Sequence, residues 1–127
     1  MQLKYTILYV DDVRRALAFY EAAFAQKTAF LHEGGDYGEL ATGGTALAFS
    51  SRALITSLGK SPAAPDPARP TCEIAFATGD VPAAVARAEA AGAKVVQPAT
   101  QMPWGQTVAY VTDLDGFLVE ICTPMGG

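Results

Sequence analysis

The chain has 127 residues, of which half are hydrophobic and 17% charged, a balance that suits one folded domain and excludes a disordered chain. Its net charge of −4, with no cluster among nine Lys and Arg, offers no electrostatic footprint for nucleic acid or an anionic membrane surface. No apolar run approaches the length of a membrane span, and Met1-Gln2-Leu3-Lys4 leads into a strand pattern rather than a secretory leader, so the cytoplasm is the expected compartment.

In chain order, Leu3–Val10 alternates β-branched and aromatic residues and predicts a strand, with Thr6, Leu8 and Val10 on one face and Tyr5, Ile7 and Tyr9 on the other. Asp12 is the expected N-cap of a helix whose stripe is Val13, Leu17, Tyr20 and Phe24. Thr28–His32, Tyr37–Ala41 and Thr45–Ser50 then read as three strands, joined through Gly34-Gly35-Asp36 and Thr42-Gly43-Gly44. Arg52–Pro70, with Gly59 and four prolines, has the composition of a linker or long loop.

The cycle then restarts. Thr71–Ala77 predicts a strand, Asp80 caps a helix with stripe Val81, Val85 and Ala88, and Gly92 stands at its stop. Ala93–Val96 predicts a strand, Gln97–Gly105 a loop carrying the single Trp, and Gln106–Thr112 another strand. Asp113-Leu114-Asp115-Gly116 is turn chemistry before the last strand, Phe117–Cys122. Cys72 and Cys122 fall on opposite sheet faces in this reading, which argues against a disulfide.

Each half spells β-α-β-β-β, and YTILYVDDV superposes on EIAFATGDV, matching Tyr5 to Glu73 and Asp12 to Asp80. Across the final turns Ala48 matches Glu120. The helix of such a module covers one face of its sheet, so the other must meet a second module. The expected architecture is therefore α+β, two tandem modules (1–51 and 71–124, linker 52–70) in one 1–127 domain, with curved mixed sheets around a cavity that small residues such as Ala46, Ala48, Ala75 and Ala77 leave open.

Glu120 lies between Leu118 and Cys122 on one face of the last strand. A carboxylate there has to be paired, hydrogen-bonded, metal-bound or neutral, because burying it alone costs several kcal/mol, roughly. Otherwise it is an edge residue facing water.

The openings VDDVRRALAFYEAAF and EIAFATGDVPAAVARAEAAGA and the ending WGQTVAYVTDLDGFLVEI resemble the vicinal oxygen chelate superfamily, which includes glyoxalase I, bleomycin-resistance proteins, fosfomycin-resistance enzymes and extradiol dioxygenases. The usual Asp-Pro-Asp-Gly ending has Leu114 in place of proline, and Ala25 stands where a Gly commonly follows the first helix. By that resemblance, metal ligands of the metal-dependent members would fall at Tyr5, Ala48, Glu73 and Glu120. Only the two glutamates are ordinary ligands, so no cofactor is expected, a divalent metal being the alternative.

Glu73 and Glu120 are instead candidates for a pair in which one pKa rises, able to bind a cationic group or to act as acid and base, or else a satisfied polar cluster. Trp104, in a proline-flanked loop, and Tyr110 offer flat surface for a planar ligand, with Tyr5, Tyr9 and Ala48 completing the ligand-binding candidates; the bland reading of Trp104 is packing. His32 lies away from these positions. Two functions follow: a protein that sequesters a planar aromatic or cationic compound, as in drug resistance, without metal; or an enzyme, metal-dependent or carboxylate-based, such as a glyoxalase-type lyase or isomerase, a dioxygenase or an antibiotic-modifying transferase. The expected partners are a small molecule and, as in relatives that build cavities from two chains, a second copy in a homodimer.

Overall fold

The computed structural model describes residues 1–125, so Gly126 and Gly127 of the expected 1–127 domain lie outside the described residues. In chain order the elements are β1 (Tyr5–Val10), α1 (Val13–Phe24), β2 (Thr28–Leu31), β3 (Tyr37–Leu40), β4 (Ala46–Ser51), α2 (Arg52–Ser57), β5 (Glu73–Ala77), α3 (Val81–Ala90), β6 (Lys94–Gln101), β7 (Thr107–Thr112) and β8 (Leu118–Cys122). They form two four-stranded mixed sheets with the same topology, β1-β4-β3-β2 and β5-β8-β7-β6. In each, the first strand pairs in parallel with the last, which pairs antiparallel with the third. The internal match read from sequence holds in the register. Ile7 pairs with Ala48 as Ala75 pairs with Glu120.

The chain divides into two compact units, residues 1–21 with 25–64, and residues 22–24 with 65 onward. In the first unit, alternation puts Leu8, Val10, Leu47 and Phe49 on the covered face of the sheet, all buried with Leu17 and Tyr20 of α1. The Tyr20 and Phe49 rings lie 5.0 Å apart. Gly38 of β3 gives α1 its close approach, since a Cβ there would come within 2.7 Å of Leu17 Cδ1. In the second unit α3 packs on β6, β7 and β8 over Val111, Val119 and Ile121. Arg87 Nε donates to the Ala22 carbonyl at 2.8 Å, and the Phe24 ring stacks on Phe76 at 5.0 Å, both within this unit.

Helix boundaries follow the caps. Asp12 accepts from Arg15 N and Asp80 from Ala83 N, each at 3.1 Å. Ala25, where a glycine commonly stands in similar chains, is left-handed at φ 56°, a conformation that costs a residue with a Cβ about 1–2 kcal/mol.

Two stretches differ from expectation. Within the proline-rich 52–70 linker, Arg52–Ser57 forms a helix, because Ser51 Oγ at the end of β4 accepts from Leu54 N at 3.0 Å and all four prolines lie beyond it. The boundary between units falls at 64/65, inside the expected linker. β6 continues to Gln101 through Pro98, where a loop was expected. It is the edge strand of its sheet, and its register shifts between Val95 and Gln97 and between Gln97 and Thr100 absorb the residue that cannot donate. Cys72 and Cys122 are free, as expected.

Candidate functional site

Each sheet keeps one face away from its helix, and the site candidates sit there. In the second unit that face carries Glu73 of β5, Tyr110 of β7, and Glu120 and Cys122 of β8. Tyr110 stands directly across from Glu120, and its hydroxyl donates to Glu120 Oε1 at 3.0 Å. Both are half-buried. Desolvation, that bond and the Glu120 charge push the Tyr110 phenol up to about 12, so at neutral pH it remains a donor. Glu73 is two residues out of line with Glu120 along the strands, on the same face, pairing with Leu118 while Ala75 faces Glu120. Its side chain is exposed, yet partial removal from water and then the Glu120 carboxylate raise its pKa. The Cys122 thiol is pushed up as well, first by burial and then by Glu120, and donates to the Phe76 carbonyl at 3.7 Å.

The tight turn before β8 sets this geometry. Asp113 Oδ1 accepts from the backbone N–H of Asp115, Gly116 and Phe117 at 3.0, 2.9 and 2.8 Å, and Gly116 takes φ 101°. That cage of bonds fixes where β8 starts, and so which residue of β7 faces Glu120.

The first unit has its own polar pair, which the sequence reading did not include. Tyr37 Oη donates to Glu39 Oε2 at 2.9 Å on β3, and desolvation followed by Glu39 pushes Tyr37 up to about 12. The signal was available: Tyr37 and Glu39 alternate with Gly38 and Leu40, which are buried. Tyr5 is 51% exposed, Tyr9 is half-buried opposite Ser50, and Ala48 is fully buried between Ile7 of β1 and Glu39 of β3. Ala48 is thus a floor position rather than a contact surface.

Trp104 is 62% exposed in the turn joining β6 to β7, its Nε1 donating to Gln106 Oε1 at 2.7 Å. Along the chain Trp104 precedes β7, whose backbone rises about 10 Å from Thr107 to Tyr110. His32 lies in the turn after β2, where its Nδ1 accepts from Gly34 N at 3.2 Å.

The four positions expected for metal ligands supply two carboxylates, a phenol and a methyl group. One Glu120 oxygen is already engaged by Tyr110, and among the described residues no group of three or more His, Cys, Asp or Glu could hold a metal ion. This donor set does not fit a divalent centre, which normally has three or more protein ligands. Among the described residues, no helix is long and apolar enough to cross a membrane.

The chain is similar in fold to a glyoxalase-related enzyme from Fulvimarina pelagi, at 24% identity over 98% of this chain and 88% of that one, with a TM-score of 0.83. A glyoxalase/bleomycin resistance protein/dioxygenase from Nocardioides shares 20% identity over 100% and 86%, with a TM-score of 0.77, and TioX from Micromonospora sp. ML1 shares 24% over 97% and 98%, with a TM-score of 0.72. No curated protein matches it. The family pattern of the Glyoxalase/Bleomycin resistance protein/Dioxygenase superfamily spans residues 2–121, which takes in both β-α-β-β-β units and the Tyr110–Glu120 pair; the chain belongs to that superfamily.

Proposed function

We propose that this protein binds a small planar, cationic molecule without a metal, and that it sequesters such a compound in the cytoplasm, as in drug resistance. The observation that carries the reading is the Tyr110–Glu120 pair: a half-buried carboxylate oriented by a phenol that stays protonated, with the Glu73 carboxyl diagonal to it. A cation placed there would meet acceptor oxygens already aimed, and a charge-assisted bond contributes about 1.5–3 kcal/mol. The bleomycin-resistance name carried by the family agrees with ligand capture.

A panel of aromatic antibiotics, including bleomycin-type compounds, with 9-aminoacridine as reference probe, tests this by calorimetric titration. Glu120→Gln is expected to weaken 9-aminoacridine about tenfold or more, and equal affinity for both proteins contradicts the assignment. A second reading, carboxylate-based catalysis, is favoured by the raised Glu73 carboxyl beside Glu120, which suits a general acid paired with a base. Glu73→Gln would then abolish turnover while ligand affinity changes little.

We also propose a homodimer. Tyr5 at 51%, Ile7 at 42% and Phe30 at 47% exposure leave apolar surface on one sheet face, and covering such surface is a common reason for self-association. Sedimentation at micromolar concentration should give twice the mass of one chain, and a single-chain mass overturns this.

A further inference from the structure

The turn that leads into β8 is covered, and its counterpart in the first unit is bare. In the internal repeat, Thr42-Gly43-Gly44-Thr45 before β4 matches Leu114-Asp115-Gly116-Phe117 before β8, so one turn leads to Ala48 and the other to Glu120. A Cβ built on Gly43 or Gly44 would meet nothing within 4 Å. One built on Gly116 would lie 3.4 Å from Pro67 Cδ, 3.5 Å from the Pro65 carbonyl oxygen and 3.7 Å from Pro65 Cγ. The residues from Leu114 to Phe117 are accordingly all half-buried, whereas Gly43 and Gly44 are exposed.

The covering segment is suited to its place. Prolines have no N–H and a fixed φ, so Pro65 and Pro67 lie on the turn without burying a donor and lose little freedom in doing so. The turn asks no hydrogen bond of them, because the N–H groups of Asp115, Gly116 and Phe117 all go to Asp113 Oδ1. Asp66, between the two prolines, ties the segment off. Its Oδ1 accepts from Ala68 N at 2.9 Å and its carbonyl from Arg69 N at 3.0 Å. A second contact holds the same turn, since a Cβ on Gly92, just past α3, would come within 3.1 Å of Leu114 Cδ2. The prolines, the turn and Gly92 all belong to the second unit.

We propose that Pro65–Pro67 is a strap that positions Glu120: by resting on Gly116 it fixes the start of β8, and with it the carboxylate further along that strand. This inference rests on the reading of Glu120 as the group that holds the ligand. A strand places its side chains through its register, so a turn free to slip would let Glu120 leave its place across from Tyr110. The repeat supplies the contrast. Where the turn is bare, the matching position is Ala48, a methyl group with no orientation to hold. Pro65 and Pro67 are thus positioning residues, acting through the turn rather than on the ligand.

Amide hydrogen exchange in the full chain, with Pro65→Gly and Pro67→Gly combined, tests the strap. Exchange is expected to quicken about tenfold at Asp115, Gly116 and Phe117, with no change at Leu47, whose N–H is held by Thr42 Oγ1 beside the bare turn. Pro67→Ala alone, a milder change, should give about threefold at the same three amides. The 13C shift of Tyr110 Cζ, which reports its hydrogen bond to Glu120, should move toward that of an unbonded tyrosine in the double variant. 9-Aminoacridine should bind that variant about fivefold more weakly, and this loss should vanish when Glu120→Gln is also present. Unchanged exchange at the three amides, an equal rise at Leu47, or an unmoved Tyr110 signal overturns the proposal. An undiminished loss of affinity in the Glu120→Gln background also overturns it. If Glu120→Gln alone leaves 9-aminoacridine affinity unchanged, the ligand reading fails instead, and the exchange and Tyr110 signals, which need no ligand, still decide on the strap.

Discussion

Phe49→Ala is expected to destabilise the protein by about 3–5 kcal/mol, seen as a lower urea midpoint with little change in slope. Phe49 is fully buried at the centre of β4, between Leu8 of β1 and Gly38 of β3, and its ring lies against Tyr20. The space it would vacate has no ready filler. Gly38 has no side chain to move into it, and α1 already lies so close that a Cβ at Gly38 would meet Leu17. Phe49→Leu preserves most of the volume and should lose about 1–1.5 kcal/mol. A loss under about 1 kcal/mol for the alanine variant would mean that α1 can collapse onto the sheet, contrary to the tight contact at Gly38.

Asp113→Ala should cost about 2–4 kcal/mol, since three backbone N–H groups lose a shared acceptor in a turn that is largely shielded from water. Asp113→Asn retains an acceptor oxygen and should recover about half of that loss. The same substitution reaches the site. Glu120 follows the turn by a few residues, so loosening the start of β8 also loosens the Tyr110–Glu120 hydrogen bond, and a ligand held there should bind the alanine variant more weakly. Thermal unfolding combined with a 9-aminoacridine titration separates the two effects, because affinity measured well below the melting temperature reports the site alone.

Much of this architecture was legible because local chemistry and repeat agree. Asp12 and Asp80 cap where the apolar stripes begin, and matching the two final turns made Ala48 the equivalent of Glu120, as the strand registers of the two sheets bear out. Alternation correctly separated Leu8 and Val10 from Tyr5 and Ile7. Three features escaped for physical reasons. α2 begins on the last residue of a strand, where Ser51 serves β4 and the helix at once, and the prolines beyond it dominate the composition. β6 tolerates Pro98 only because it is an edge strand with register shifts, a property of sheet order that a single segment does not carry. The Tyr37–Glu39 pair sits on a four-residue strand interrupted by glycine, too short for its period to stand out. Alternation also names which face a residue is on but not how far it stands out from it: Ala48 and Tyr5 share a face, one fully buried and the other half exposed.

The central claim is that carboxylates, rather than a metal, hold the ligand. Calorimetry of 9-aminoacridine binding to the protein before and after dialysis against a chelator, with metal content measured on both samples, tests it most directly. The account predicts the same affinity in both samples, less than one divalent ion per chain before dialysis, and a weakened titration for Glu120→Gln under either condition. One tightly held divalent ion per chain, together with binding that vanishes on chelation and returns when the ion is restored, would contradict it.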